Sequence, residues 1–439
     1  MNNLALGLDF GTTNSSIALA HPNGSVQVLQ FPTSGAPTAS YRSLLYLERV
    51  SNAGRASIKS WTGPAGIERY LEAEEKGRLI QSLKSFLASR SLRSTEVFGR
   101  QVALEDLIAN ILRDLRVEAQ RQFPGEITRV VVGRPVRFVG AESDDDDAYA
   151  QARLADALRR AGFDSVSFEL EPIGAAFYYE SRLDRDELIL IGDFGGGTSD
   201  FSLLRVGPSI REKGRRPEDL LGNEGLGLAG DAFDAKIVRH LVSPALGYGT
   251  MLKSSGKTLP VPSWVYRKLE RWHHLSLLKS NDTMNMLESV RAQALAPERI
   301  EALIALVRGD LGYQLHSAVQ QVKVKLSENE CATFHFKDPE VDIEERVTRS
   351  QFEAWISDEL HAVEKSVDRV LKRAGVSAAQ VDRVFLTGGS SFVPAVRRIF
   401  DVRFGHERIT TGDEFTSVAH GLALRALSQA ATKLPYSGS

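Results

Sequence analysis

Short apolar runs alternate along this chain with longer amphipathic stretches, and the alternation predicts the elements. Strands are predicted at Leu4–Leu8, Arg129–Val132, Leu188–Ile191, Ser202–Val206 and Arg383–Leu386. Helices are predicted at Ala103–Gln122, Asp145–Ala161, Pro297–Ser327, Gln351–Ala374 and Phe415–Ala431. Between them, Phe31–Ser43, Gly207–Gly227, Val242–Ser263 and Lys337–Asp342 read as loops. Strands interleaved with helices predict an α/β architecture. The acidic run Asp144–Asp147 follows Ser143, a good N-cap, and its carboxylates complement a helix dipole, so it reads as a helix start.

Composition narrows the class. At about 150 residues per domain, 439 residues suggest two or three domains. With Lys plus Arg at 54 and Asp plus Glu at 56, the net charge is −2. No global basic field attracts nucleic acid or an anionic membrane, and neither is expected as a partner. Cys331 is the sole cysteine, which excludes an intrachain disulfide or a multi-cysteine metal site and points to a reducing, cytoplasmic setting. Within the strand-like run Cys331–Phe336 it is expected to be a core thiol. The N-terminus has no basic n-region of a signal peptide. No stretch approaches the ~18 apolar residues of a membrane span.

One internal repeat changes the picture. Leu4–Ser16 and Leu188–Asp200 align without gaps at an offset of 193 − 9 = 184 residues. Each reads as an apolar strand, Asp-Phe-Gly, a small hydroxyl-rich turn and a return strand. Glycine lets backbone approach a ligand closely, and successive N–H groups in such a turn form an anion nest. Thr12, Thr13 and Thr198 add hydroxyl donors, while Asp9 and Asp193 are placed to hold Mg²⁺, a hard cation that takes carboxylates, often through water. Two such loops facing each other would clamp a polyphosphate. A third turn, Thr387-Gly388-Gly389-Ser390-Ser391-Phe392, follows a strand and suits a ribose or base, or is simply a tight βα turn.

These three motifs resemble the actin/sugar-kinase/heat-shock ATPase superfamily, and its DnaK-type chaperone branch best. Glu171-Pro172-Ile173-Gly174-Ala175-Ala176, Val130–Pro135, Ser82–Leu87, Leu228–Asp234 and Val322–Ser327 are similar to further motifs of that branch, in the same order. Within it, the chain is most similar to the truncated, YegD-like bacterial group. The resemblance implies an actin-like ATPase fold of two similar lobes, duplicated ribonuclease-H-like units with inserted outer subdomains and a nucleotide cleft between them. It implies lobe I over 1–184 with an outer insertion near 38–104, lobe II over 185–413 with an enlarged insertion near 228–330, and a C-terminal helix over 414–439 returning to lobe I.

The resemblance also implies slow Mg²⁺-dependent ATP hydrolysis, with ATP and ADP as ligands. Lys84 would reach the γ-phosphate, Glu171 would hold water or the metal shell, and Asp200 would polarise the water. Asp9 and Asp193 would hold Mg²⁺, with Asp193 also counted in the catalytic set. Thr198 would donate to the γ-phosphate, and Gly11, Thr12, Thr13, Asn14, Gly195, Gly196 and Gly197 would cradle phosphates. Gly230, Lys323, Ser327, Gly388, Gly389, Ser390 and Phe392 would line the nucleoside side. Outside the motif context, Lys84 reads as an exposed helical lysine, Glu171 as a helix cap, and Asp200 as a solvent-facing residue of a hairpin.

Three departures stand out. Val324 and Phe392 occupy positions where the family carries two base-stacking arginines, and Gln320 replaces a glutamate. The stretch from Gly247 to about Leu315, with Trp264, Trp272, His273 and His274, fits the family poorly. The adjacent histidines would diverge by about 100° on a helix and not chelate. After Ala430 only a short tail remains, so the family's linker and peptide-binding domain are expected to be absent. The leading expectation is a nucleotide-driven chaperone-family switch acting on a protein partner or client. The alternatives are an actin-like filament, a small-molecule kinase, and a nucleotide-binding module that does not hydrolyse.

Overall fold

The computed structural model describes residues 3–33, 36–52, 55–73, 77–123, 125–180, 183–213, 216–254, 256–271, 278–411 and 416–432. Trp272, His273 and His274 lie outside them. The chain divides into two compact units, one of Met1–Ala229, Val363–Ser391 and Arg398–Ser439, the other of Gly230–Ala362 and Phe392–Arg397.

The first unit holds two sheets of one design. One contains β1 (Asn3–Phe10), β2 (Asn14–Ala20), β3 (Val26–Val28), β4 (Glu126–Arg134) and β5 (Ser165–Leu170), in the order β5-β4-β1-β2-β3. The other contains β6 (Glu187–Phe194), β7 (Ser199–Val206), β8 (Leu220–Leu226), β9 (Arg383–Thr387) and β10 (Ile409–Thr411), in the order β10-β9-β6-β7-β8. In each, the first strand forms an antiparallel hairpin with the second and pairs in parallel with the fourth. The sequence repeat is therefore a repeat of topology. Strand Tyr41–Arg42 adds to the first sheet beside β2.

Four helices matter for the site: α1 (Leu104–Gln122), α2 (Asp144–Arg160), α3 (Glu171–Glu180) and α4 (Ser417–Thr432). The buried stripe of α1, including Ile108, Ile111 and Leu115, joins Leu154 and Leu158 of α2 over Leu6, Leu8 and Val132. A second core gathers Ile189, Ile191, Leu204 and Phe385 with Ala175 and Tyr178 of α3 and Leu422 of α4. Backbone contact between α3 and α4 depends on glycine. A Cβ on Gly421 would lie 1.7 Å from the Gly174 carbonyl oxygen. Ser143 caps α2 as the sequence predicts, its hydroxyl accepting from the Asp146 amide at 3.2 Å.

The second unit is largely helical, with Asn281–Gln293, Pro297–Arg308 and Gly312–Glu328 around Ile300, Leu303, Ile304, Leu315 and Val319. It also carries the hairpins Met251–Ser254/Lys257–Pro260 and Cys331–Asp338/Val341–Thr348.

Several expectations change. The predicted helix Pro297–Ser327 is two helices, because Asp310 adopts φ +55° and the Leu311 amide turns back to the Leu306 carbonyl. Hydrophobic spacing continues through this break, so periodicity alone misses it. The predicted helix Gln351–Ala374 is likewise interrupted, at Ile356 between Arg349–Trp355 and Ser357–Ala374. The loop read at Gly207–Gly227 contains helix Pro208–Lys213 and β8, whose glycines and polar residues obscure its strand character. A hairpin also lies within the loop read at Val242–Ser263, while the loop read at Lys337–Asp342 is the turn of another, its flanking residues belonging to the strands. Cys331 is not a core thiol. Strand alternation buries Ala332, Phe334 and Phe336 and turns Cys331 outward, where its Sγ lies 3.5 Å from Arg346 Nη2. Among the described residues no helix is long and apolar enough to cross a membrane.

Candidate functional site

In the first unit, both hairpins turn at the same point. Asp9 is the penultimate residue of β1, opposite Ser16 of β2, and Asp193 the penultimate residue of β6, opposite Asp200 of β7. In the first turn, a Cβ on Gly11 would meet the Asn14 carbonyl oxygen at 2.1 Å. In the second, the Gly195 amide donates to the Thr198 carbonyl at 2.9 Å. Thr12, Thr13 and Asn14 remain partly open, the Thr13 carbonyl accepting from the Ser43 amide and Asn14 Oδ1 from Arg42. Gly196, Gly197 and Thr198 are also partly open. The turns come together in space. A Cβ on Gly197 would lie 3.6 Å from Thr12 Oγ1 and 3.5 Å from Ser85 Oγ.

Lys84 is not on an exposed helix. It sits in the 3₁₀ turn Leu83–Phe86, 7% exposed, and its Nζ donates to Glu171 Oε1 at 2.6 Å. Burial alone would lower its proton affinity, but Glu171, Asp9 and Asp200 outweigh that and hold the ammonium above its ordinary value. Glu171 opens α3, so its backbone starts the helix while its side chain meets Lys84. Asp200, far from facing solvent, is 1% exposed; its Oδ1 accepts from the Val136 amide at 3.0 Å.

The carboxylates are crowded. Burial, then Glu171 and Asp193, push Asp9 well above its usual range despite the attraction of Lys84. Burial and Glu171 push Asp193 up to about 6, partly opposed by a Thr387 hydroxyl donating to its Oδ1 at 2.9 Å. Asp200 is raised by burial first, then by Glu171 and Asp193, with the Thr198 hydroxyl and Val136 amide acting against them. Asp9, Glu171, Asp193 and Asp200 thus share the field of the Lys84 ammonium. Such a set suits a divalent cation, whose charge would relieve the repulsion. No cluster of three or more His, Cys, Asp or Glu in metal-ligating arrangement occurs among the described residues. Mg²⁺ needs none, since one or two carboxylates plus waters and phosphates suffice.

Gly388 follows β9 with φ +83°, and a Cβ there would strike the Phe194 carbonyl oxygen at 2.1 Å. Its own carbonyl accepts from the Ser391 amide and hydroxyl, closing the turn that carries Gly389 and the buried Ser390. Gly230, Lys323, Ser327 and Phe392 belong to the second unit. There Lys323 Nζ pairs with the buried Asp234 at 2.6 Å and approaches the Gly230 carbonyl at 3.4 Å. Ser327 Oγ donates back to the Lys323 carbonyl. Val324 is 55% exposed and Phe392 39% exposed, the latter with the Arg397 guanidinium 5.5 Å from its ring centre.

Two contacts escaped the sequence reading. Thr387 stands in a motif already noticed, and its hydroxyl was a usable signal. The Val136 amide had none, since any residue but proline carries one.

The profile of the Hsp70 protein family matches residues 5–245 and 310–432. The unmatched stretch between them falls where the sequence departs from the resemblance. The chain is 25% identical over 422 residues to a chaperone protein DnaK of Thermosipho melanesiensis, covering 96% of this chain and 58% of that protein. It is 25% identical over 429 residues to the chaperone protein DnaK of Thermotoga petrophila, covering 98% and 60%. For chaperone protein DnaK of Thermus thermophilus the figures are 25% over 432 residues, 96% and 60%. The chain thus spans about three-fifths of the length of these relatives.

Proposed function

The chain belongs to the Hsp70 protein family, and from that premise we propose that it binds ATP and hydrolyses it slowly, acting in the cytoplasm as a nucleotide-driven switch on a protein partner. The observation that carries the reading is the meeting, in one unit, of two glycine turns with the Lys84–Glu171 pair and three further buried or half-buried carboxylates. Positioned charge of this kind is what phosphoryl transfer to water requires, since the protein contributes little covalent chemistry.

In this reading Gly11, Thr12, Thr13, Asn14, Gly195, Gly196, Gly197 and Thr198 donate to phosphate oxygens. Asp9 and Asp193 hold Mg²⁺, which when bound neutralises phosphate charge. Lys84 leaves Glu171 to face the γ-phosphate, and Glu171 is then free to orient water. Asp200, held by the Val136 amide, accepts the hydrogen bond of the attacking water. Gly388, Gly389 and Ser390 serve the nucleoside. The two-lobed division near residue 184, with outer insertions near 38–104 and 228–330, belongs to the same reading.

The test is single-turnover phosphate release by the wild type and Lys84→Ala, with nucleotide affinity measured in parallel by calorimetry. Loss of one positioned charge or donor is expected to slow release about 100- to 1,000-fold. Equal rates would overturn the assignment of Lys84, and calorimetry without ATP or ADP binding would overturn the whole reading.

A further inference from the structure

Helix α2 belongs to none of the recognised motifs, yet two of its side chains reach the loops that bear Lys84 and contact Asp200. Asp147, at its first turn, accepts from the Phe138 amide at 2.8 Å and pairs with Arg134. Arg134 ends β4 and donates to the carbonyls of Pro135 at 2.9 Å and Val136 at 3.1 Å, and to Gln151 of α2 at 3.0 Å. The turn pinned in this way is the one whose Val136 amide bonds Asp200.

Further along α2, Arg153 is 5% exposed and pairs with Glu105 of α1. Its Nη1 reaches the carbonyls of Phe86 at 3.3 Å, Leu87 at 3.2 Å and Ser89 at 3.1 Å, and Nη2 reaches Leu92 at 3.2 Å. These carbonyls end and follow the 3₁₀ turn of Lys84. Ser82, just before it, holds φ 56°, a left-handed conformation that is strained for a non-glycine residue and persists only where the surroundings enforce it. Arginine alone offers five donors in a rigid plane, so no other side chain gathers this many carbonyls about one centre.

We propose that α2 aligns the site: Arg153 is a positioning residue for Lys84, and the Arg134–Asp147 pair positions Asp200. The geometric part stands by itself, while its effect on turnover rests on the ATPase reading above. Each arm is tested separately, through Arg153→Lys, which keeps the buried charge, and through Asp147→Asn on the less buried arm.

Amide hydrogen exchange is measured first. Asp147→Asn is expected to speed exchange at Val136 and Phe138 at least tenfold, and Arg153→Lys to do so at Leu87 and Ser89. Single-turnover hydrolysis is then expected to fall by up to about 100-fold, with ATP affinity within twofold of wild type, since small misplacement of reacting groups has that effect. In the Asp200→Asn background Asp147→Asn should cause no further loss, and in the Lys84→Ala background neither should Arg153→Lys. Unchanged exchange would overturn the alignment whether or not the protein hydrolyses ATP. Faster exchange with unchanged turnover, or losses that multiply in the double variants, would overturn the positioning role and leave the ATPase reading intact. A wild type that binds nucleotide without hydrolysing it would sink that reading alone, with exchange still deciding the alignment.

Discussion

The hairpins β1–β2 and β6–β7 have the same strand register, the same Asp-Phe-Gly corner and the same parallel neighbour, yet opposite Asp9 stands Ser16 and opposite Asp193 stands Asp200. Both of those partners are 1% exposed. A buried hydroxyl needs only a local hydrogen bond, whereas a buried carboxylate needs compensation. Asp200 receives it from the Val136 amide, in the turn after β4, and from the Thr198 hydroxyl of its own hairpin. Duplication thus set the geometry, and divergence at one register position set the charge: one carboxylate from the first hairpin, two from the second.

The strongest way to break this contrast is to exchange the two residues. Asp200→Ser makes the second hairpin like the first, and single-turnover hydrolysis is expected to fall about 100- to 10,000-fold, the range of a lost general base, with nucleotide affinity retained. Ser16→Asp buries a carboxylate where the native side chain is a neutral hydroxyl. Thermal or urea unfolding should show a loss of several kcal/mol.

The two corner aspartates offer a second test, through pH. Asp193 retains its proton to about pH 6 in the folded chain against an ordinary value of 3.8. Its contribution to stability is therefore full below 3.8 and declines as pH rises towards 6. Divalent-cation binding runs the other way, since the cation must displace that proton. Affinity for Mn²⁺ or Mg²⁺ measured by calorimetry is expected to fall at least about tenfold per pH unit below 6, since the proton on Asp9 is held as well, with proton uptake from buffer on release. Asp193→Asn should make that dependence shallower, leaving the part due to Asp9.

The smallest effect separates the turns themselves. A methyl on Gly11 would meet the Asn14 carbonyl oxygen at 2.1 Å, whereas one on Gly195 would meet the Thr198 carbonyl oxygen at 3.3 Å. Gly11→Ala is expected to cost about 1–3 kcal/mol in urea unfolding, as overpacking does. Gly195→Ala should cost well under half of that.

The duplicated sheets were legible because each half repeats an apolar strand, Asp-Phe-Gly and a turn, and local pattern governs local strand formation. Strand β8 was not legible, because Leu220–Leu226 is poor in β-formers and gains its place as a partner of β7. Cys331 failed for a related reason. A period of two says which residues share a face, but only packing says which face is covered. At the site, the residue types at Asp9, Lys84, Glu171, Asp193 and Asp200 were readable from motifs, while their environments were not.

The sequence by itself determined the α/β class, the internal duplication, the helix start at Ser143 and the residues worth testing, since each rests on spacing within a few residues or on a plain repeat. Tertiary structure alone decided that Lys84 is buried against Glu171, that Asp200 is held by a backbone amide, and that Arg134, Asp147 and Arg153 support the loops around them. The Lys84 and Asp200 contacts, and those of Arg153 with the loop after Lys84, join groups 61 to 87 residues apart in the chain, and those of Arg134 and Asp147 join a loop to the helix that follows it within 17 residues, all brought together by burial of two cores. Burial then set their charge states, and no local pattern in the sequence encodes desolvation.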